Sequence, residues 1–257
     1  MIQTNSLFKS KHFISLPCET GKIADESQDQ HPTQVYAWGY GKKDLTIDVK
    51  GTSFGFVYKG QAEITFDLAG RQQTFYLETG MYFSVPNNFT ISGGCGFIST
   101  RLGFQGTFMI GGAIEKQGRL RYIDGCSDSL LISPVIKGDP CLNFLHFPPN
   151  IGQTRHTHPS LRVGIVARGR GRCVVPKNDD GTGEDVTIPL TPGDIFIIPT
   201  EGQHSFFTDD SEMDVIAYHP DSDTGPTHDD HPMINRTIVD GVSAANIREI
   251  RTTKIGV

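Results

Sequence analysis

Two histidines one residue apart, His156 and His158, stand in the run TRHTHPSLRVGIVARGRG. Side chains at i and i+2 of a β-strand point to the same face. Both imidazoles can therefore converge on one point inside a sheet or barrel, which is what a metal site requires. The pair is half a site. It needs a third ligand and a closed, partly apolar pocket. A second candidate lies in THDDHPMINR, where His228 and His231 stand at i, i+3 with Asp229 and Asp230 between them. On one helical turn they could bind another metal, but no partner pair accompanies them. A polar turn, able to fold over a pocket mouth, is the preferred reading. His146 in NFLHFPP is expected as a hydrogen-bonded core or rim residue. Arg168, Arg170 and Arg172 alternate around GRGR and are expected on a solvated face. Cys173 reads as a small buried hydrophobe. Tyr218 and Phe206 suit either core or pocket.

These residues must be held by something, and the composition says what. The chain has 257 residues, enough for one large domain or two of ordinary size. Hydrophobic residues make up 37% and charged residues 20%, which suits a soluble globular protein. The formal net charge of -6 argues against a grip on nucleic acid. The 29 glycines and 15 prolines fall mostly between short apolar runs, the pattern of an all-β chain with many turns. Five cysteines, Cys18, Cys95, Cys126, Cys141 and Cys173, are widely spaced with no C-x-x-C. Reduced thiols in a cytoplasm are expected rather than a disulfide framework. No apolar run suits a signal peptide, and none reaches the roughly 18 residues of a membrane span.

In chain order, residues 1–34 read as a polar arm on the domain surface, and 35–115 as a first set of strands. Residues 116–140 read as a connector, 141–220 as a second set of strands, and 221–257 as a tail. The tail is expected to end in a short helix within VSAANIREIR, capped by Ser243. The two strand sets repeat a pattern. Gly60 closes VYKG, Gly80 opens ETGMYFSVP and Pro86 ends it; Gly169, Gly193 and Pro199 do the same in the second set. The Gly60–Gly80 spacing is 20 residues and the Gly169–Gly193 spacing is 24, the extra four fitting the polar loop KNDDGTGED. Glycine there permits a tight turn, and proline removes a ladder donor where pairing stops.

This arrangement resembles the cupin superfamily, small antiparallel jelly-roll barrels with two sequence motifs. The first motif is a His-x-His pair, a Glu three or four residues on, and a Gly after six more. The second is Gly, five residues, Pro, and a His five positions later. His156, His158 and Gly169 match the first; Gly193, Pro199 and His204 match the second. The Glu slot holds Arg162. Gly202, Thr208 and Gly152 also depart from the usual spacing or residue. The resemblance implies two cupin barrels in tandem over roughly residues 35–220. The same spacing counted back from Gly60 places Ile47 and Val49 in the His-pair slots and Ser53 in the Arg162 slot. Counted forward from Pro86, it places Ile91 in the His204 slot. The first barrel is therefore expected to be a degenerate cupin without metal, serving packing, dimer formation or shielding of the second.

The resemblance also implies that His156, His158 and His204 hold one divalent metal ion. Fe(II) is favoured, and Zn, Ni, Mn or Cu would also suit imidazole. Arginine is protonated at any working pH and cannot coordinate. Arg162 is therefore expected to clamp a substrate carboxylate or enolate. Three readings follow: a non-haem Fe(II) dioxygenase acting on a small anionic keto acid, diketone or aromatic acid; a redox-neutral isomerase, lyase or decarboxylase; and a non-enzymatic metal- or ligand-binding sensor. A small anionic molecule is the expected partner, with a homodimer as the assembly and neither nucleic acid nor membrane involved.

Overall fold

The computed structural model describes residues 7–41 and 44–251. Four curved antiparallel sheets build it, two to each half, and a two-stranded hairpin, Ile238–Val239 with Val242–Ser243, lies in the tail. In the first half a six-stranded sheet runs Met109–Gly111, Tyr82–Pro86, Gly51–Lys59, Cys95–Leu102, Thr33–Trp38, Gly21–Glu26. It is backed by four strands, Leu45–Ile47, Phe89–Ser92, Ala62–Leu68 and Arg71–Leu77. In the second half a seven-stranded sheet runs Ile14–Leu16, Ile195–Ile198, Arg162–Gly169, Met213–His219, Cys141–Phe147, Ser127–Ile132, Leu120–Arg121. It is backed by Asp185–Leu190, Gly171–Pro176 and Ser205–Phe207. Each half is a jelly-roll barrel closed by a large and a small sheet.

Alternation along the strands divides the core into three parts. Val163, Ile165, Ile216 and Tyr218 meet Val35, Ala37, Phe54 and Phe97 between the two large sheets. The opposite faces of those strands fill the barrels. Trp38, Ile47, Ile64, Phe83, Phe89 and Ile91 pack the first, and Phe147, Val166, Cys173, Phe196, Phe206 and Val215 pack much of the second. Each such side chain, fully buried, contributes about 1.5–3 kcal/mol.

The repeat read from the glycines recurs in the backbone. Gly60, Gly80, Gly169 and Gly193 all take positive φ, between +67° and +95°. At Gly169 a Cβ would lie 1.8 Å from the Glu212 carbonyl oxygen, so no other residue fits that turn. A further repeat was not anticipated. Gly55 lies opposite Phe83, and Gly164 lies opposite Phe196. In each barrel the phenyl ring covers the glycine so closely that a Cβ would meet it at 2.2 Å or 2.4 Å.

Three expectations need correction. Residues 7–34 are not a loose surface arm. Ile14–Leu16 extends the large sheet of the second barrel, Gly21–Glu26 that of the first, and Phe13 is buried and stacked on Phe196. Polar composition hid them because these strands are short and sit at sheet edges. The segment after Ser243 forms two 3₁₀ turns, Ala244–Asn246 and Arg248–Ile250, instead of one α-helix, although the Ser243 hydroxyl does cap the first. The register of the first barrel is shifted as well. Ile91 pairs with Leu45, so Leu45 and Ile47, not Ile47 and Val49, stand where the second barrel has its histidine pair. The connection from there to Ser53 is two residues longer than its counterpart. Ser53 does match Arg162, since each lies opposite the residue just before the strand-ending proline.

Candidate metal centre

His156 and His158 do not lie on a regular strand, as their spacing suggested. They sit in an extended run that touches the sheet at one bridge, His156 to His204, before the strand proper begins at Arg162. The two backbones exchange both hydrogen bonds there, each 3.0 Å. That exchange carries the third histidine to the other two. Alternation still holds along the run, with Arg155, Thr157 and Pro159 exposed and the two histidines turned inward. His204 is held from below. The His12 ring accepts from the Gln203 amide at 3.2 Å and donates to the Asn178 carbonyl at 3.0 Å. The His12 backbone passes so close to Gly202 that a Cβ would lie 2.9 Å from its oxygen. The glycine is required by this contact.

The three rings face one another with centroids 5.0, 4.4 and 5.1 Å apart. One ligand nitrogen from each lies within 4.8 Å of the other two. Two tautomers follow from the neighbours. Nδ1 of His156 lies 2.8 Å from the Thr154 carbonyl oxygen, and Nδ1 of His204 lies 2.9 Å from that of Gly202. A carbonyl only accepts, so both Nδ1 atoms carry the proton and both Nε2 atoms keep a free lone pair. This is the usual way a metal-binding histidine is oriented. Burial, then the Arg162 charge and the other two rings, pushes the His158 pKa down to about 2. Burial, and to a lesser degree His156 and Arg162, pushes that of His204 down to about 3. Neutral imidazoles with bare Nε2 atoms are the state that binds a divalent ion, so the residues present fit one.

Arg162 lies on the inner face of its strand, its side chain 12% exposed. Nη1 donates to the carbonyls of Ser160 and Leu161 at 3.1 and 3.0 Å and to the Ser160 hydroxyl, and it lies 3.5 Å from a carboxylate oxygen of Asp221. Nε is buried without a partner. Burial lowers the guanidinium pKa, and Asp221 partly opposes this. Asp221 continues to His31 at 3.7 Å, whose other ring nitrogen is 3.3 Å from Arg101. The cation is thus tied to the first half of the molecule.

His219 escaped the sequence reading. The strand register, continued by one residue from Val163 opposite Tyr218, sets it opposite Arg162 on the inner face. Burial, then the charges of Arg162 and His158, hold its pKa well below the usual value. The signal was available in MDVIAYH: if Met213 and Val215 point inward, so does His219.

The remaining candidates fall elsewhere. His146 donates from Nδ1 to the carboxylate of buried Asp214 at 2.7 Å, and Arg168 closes on its other oxygen at 2.5 Å. Arg170 and Arg172 pair with Asp210 and Asp209 at the surface. His231 caps the short helix Pro232–Arg236, its ring nitrogen accepting from the amides of Met233 and Ile234. Among the described residues the only group of three or more potential ligands is His156, His158 and His204. A cavity of about 900 Å³ lies away from them, between the N-terminal strand, Tyr40, Tyr58 and Asp185–Leu190. It contains no such ligand group, so chemistry and not volume identifies the candidate centre.

The sequence matches no protein-family model and no curated protein. Solved structures do match in fold. A cupin 2 conserved barrel domain protein from Leptotrichia buccalis aligns at a TM-score of 0.51 with 13% identity, over 82% of this chain and 90% of that one. The chain has the cupin fold. Oxalate decarboxylase of Bacillus subtilis, described with Mn(II) centres, aligns with this chain at a TM-score of 0.53 with 12% identity, over 86% and 80% of the two chains. An 11S globulin from Wrightia tinctoria, described with an auxin binding site, aligns at 0.56 with 8% identity, over 82% and 84%. Among the described residues, no helix is long and apolar enough to cross a membrane.

Proposed function

We propose that this cupin is a metal-dependent enzyme acting on a small anionic substrate, and that it is a non-haem Fe(II) dioxygenase of a keto acid, diketone or aromatic acid. The observation that carries the reading is three converging imidazoles beside an enclosed arginine, with no carboxylate among the ligands. The ion supplies Lewis acidity and, as Fe(II), the redox capacity to use O2. His156, His158 and His204 hold it, and the Thr154 and Gly202 carbonyls fix two of the rings. Arg162 orients the anion, which provides the negative charge that the missing carboxylate does not. Phe206, its ring centroid 5.5 Å from that of His204, keeps water from one side. A redox-neutral or decarboxylating reaction at the same site is the second reading, favoured by the fold shared with oxalate decarboxylase.

Metal analysis of protein purified without added metal, combined with O2 uptake on keto acids and diketones, separates the two. Iron with O2 consumption supports the dioxygenase. Manganese or zinc with turnover but no O2 uptake supports the second reading. Stoichiometric metal without turnover leaves a sensor. Arg162→Ala should raise KM for an acidic substrate about 10- to 100-fold with metal content unchanged. Loss of metal from that variant would overturn the role given to Arg162.

A further inference from the structure

The cavity of about 900 Å³ that lies away from the histidines has the size of a small-molecule site. Strand Asp185–Leu190 and the N-terminal segment enclose it, and Tyr40 and Tyr58 reach it from the first half of the chain. Its lining is not uniform. Phe13, Ile188, Leu190 and Phe196, all from the core of the second barrel, supply an apolar wall. Cys18, Tyr58 and Asp194 supply a polar end, gathered around the backbone of Gly193. A Cβ on that glycine would lie 3.1 Å from the Tyr58 ring, the Cys18 thiol donates to its carbonyl at 3.5 Å, and Asp194 follows it in the chain. Burial first, and the neighbouring thiols second, raise the pKa values of Tyr40 and Tyr58, so both rings stay neutral.

The charge on the lining has one sign. Glu19 and Asp194 line the cavity, and no lysine, arginine or histidine does. Asp194 Oδ2 accepts from the amide and the hydroxyl of Thr191 at 2.7 and 3.0 Å, and Oδ1 takes no part in either bond. An anion entering here meets two carboxylates and no counter-charge. A cation is attracted twice, by the carboxylates and by the electron-rich faces of the tyrosine rings. We infer that this cavity is a second ligand site, built for an organic ammonium ion with an apolar tail. The head lies between Tyr58 and Asp194, and the tail runs along Ile188, Leu190 and Phe196. The site is separate from the histidine group and does not depend on the role given to Arg162.

The test is calorimetric binding of a set matched in its tail, octyltrimethylammonium and octanol, to the metal-loaded full chain, with octanoate as competitor. The cation should bind at least about tenfold more tightly than octanol, and octanoate should not displace it. Hexyltrimethylammonium, two methylenes shorter, should bind about tenfold more weakly than the octyl compound. Tyr58→Leu and Asp194→Asn should each lower the preference for the cation over octanol by about three- to tenfold. Unfolding midpoints check that both variants fold. If Asp194→Asn does not, Glu19→Gln, at an exposed position, carries the charge test. Arg162→Ala and removal of the metal should leave the affinity for the cation unchanged, which separates this site from the histidine group. Failure of the cation to bind, affinity equal to that of octanol, or displacement by octanoate overturns the inference. Binding of the cation that none of these cavity variants weakens lies elsewhere on the protein and overturns it as well.

Discussion

The same cross-strand position is filled by Leu45 opposite Ile91 in the first barrel and by His156 opposite His204 in the second. The pattern extends beyond this pair. Ser53 stands where the second barrel has Arg162, and Thr100, opposite it, stands where the second barrel has His219. Ser53 and Thr100 satisfy each other with a 2.7 Å hydrogen bond between hydroxyls. Arg162 is left with a bare Nε. In the first barrel Leu45, Ile47 and Ile91, the counterparts of the three histidines, are buried in its apolar core. The scaffold therefore does not need the histidines. Glycine turns, the phenyl-covered glycines and the strand-ending prolines recur in both halves, while the side chains in the histidine and arginine positions differ.

The largest effect should come from making the second barrel resemble the first. The triple variant His156→Leu, His158→Ile, His204→Ile should lower metal affinity by more than about 100-fold, beyond the cost of losing an outer-shell partner. Metal analysis after dialysis checks this, and retention of stoichiometric metal would break the comparison. The reverse change tests whether the first barrel is merely an empty site. Ile91→His should cost about 2–4 kcal/mol in chemical unfolding, since it buries an unpaired imidazole in an apolar core, and it should capture no metal. A smaller effect is pH dependence. His158 and His204 have folded pKa values far below the unfolded value of about 6.5. Below pH 6.5 the unfolded chain gains protons that the metal-free folded chain refuses, so stability falls with pH until the folded values near 2–3. Between pH 6.5 and 5 each histidine should contribute a loss of about 2 kcal/mol. The triple variant, which removes both, should show a flatter profile by about 3–4 kcal/mol over that range. The smallest effect should be shared: Gly55→Ala and Gly164→Ala should each cost about 1–2 kcal/mol, as the phenyl rings of Phe83 and Phe196 must shift. A cost confined to one barrel would show that the two scaffolds are not equivalent.

Much of the fold was legible because glycine and proline leave marks at fixed offsets. Gly169 and Gly193 set the register of the second barrel, and that register found His204 almost 50 residues from the pair it joins. The same counting slipped by two in the first barrel, because the loop between Ile47 and Ser53 is longer and no histidine marks the slot. The N-terminal strands were missed because short edge strands carry too few residues to show alternation. His219 was missed for a different reason. It lies at the end of an apolar strand, and its face is set by partners on two other strands.

By itself the sequence determined the all-β architecture, the doubled pattern, and which three histidines stand together. Those depend on local turn geometry and a two-residue period, which neighbouring residues encode. Only the tertiary structure decided which nitrogens remain free, how far Arg162 is tied down by Ser160 and Asp221, and that His219 stands opposite it. Hydrogen-bond partners and enclosure come from chain segments distant in sequence, so no run of residues could announce them.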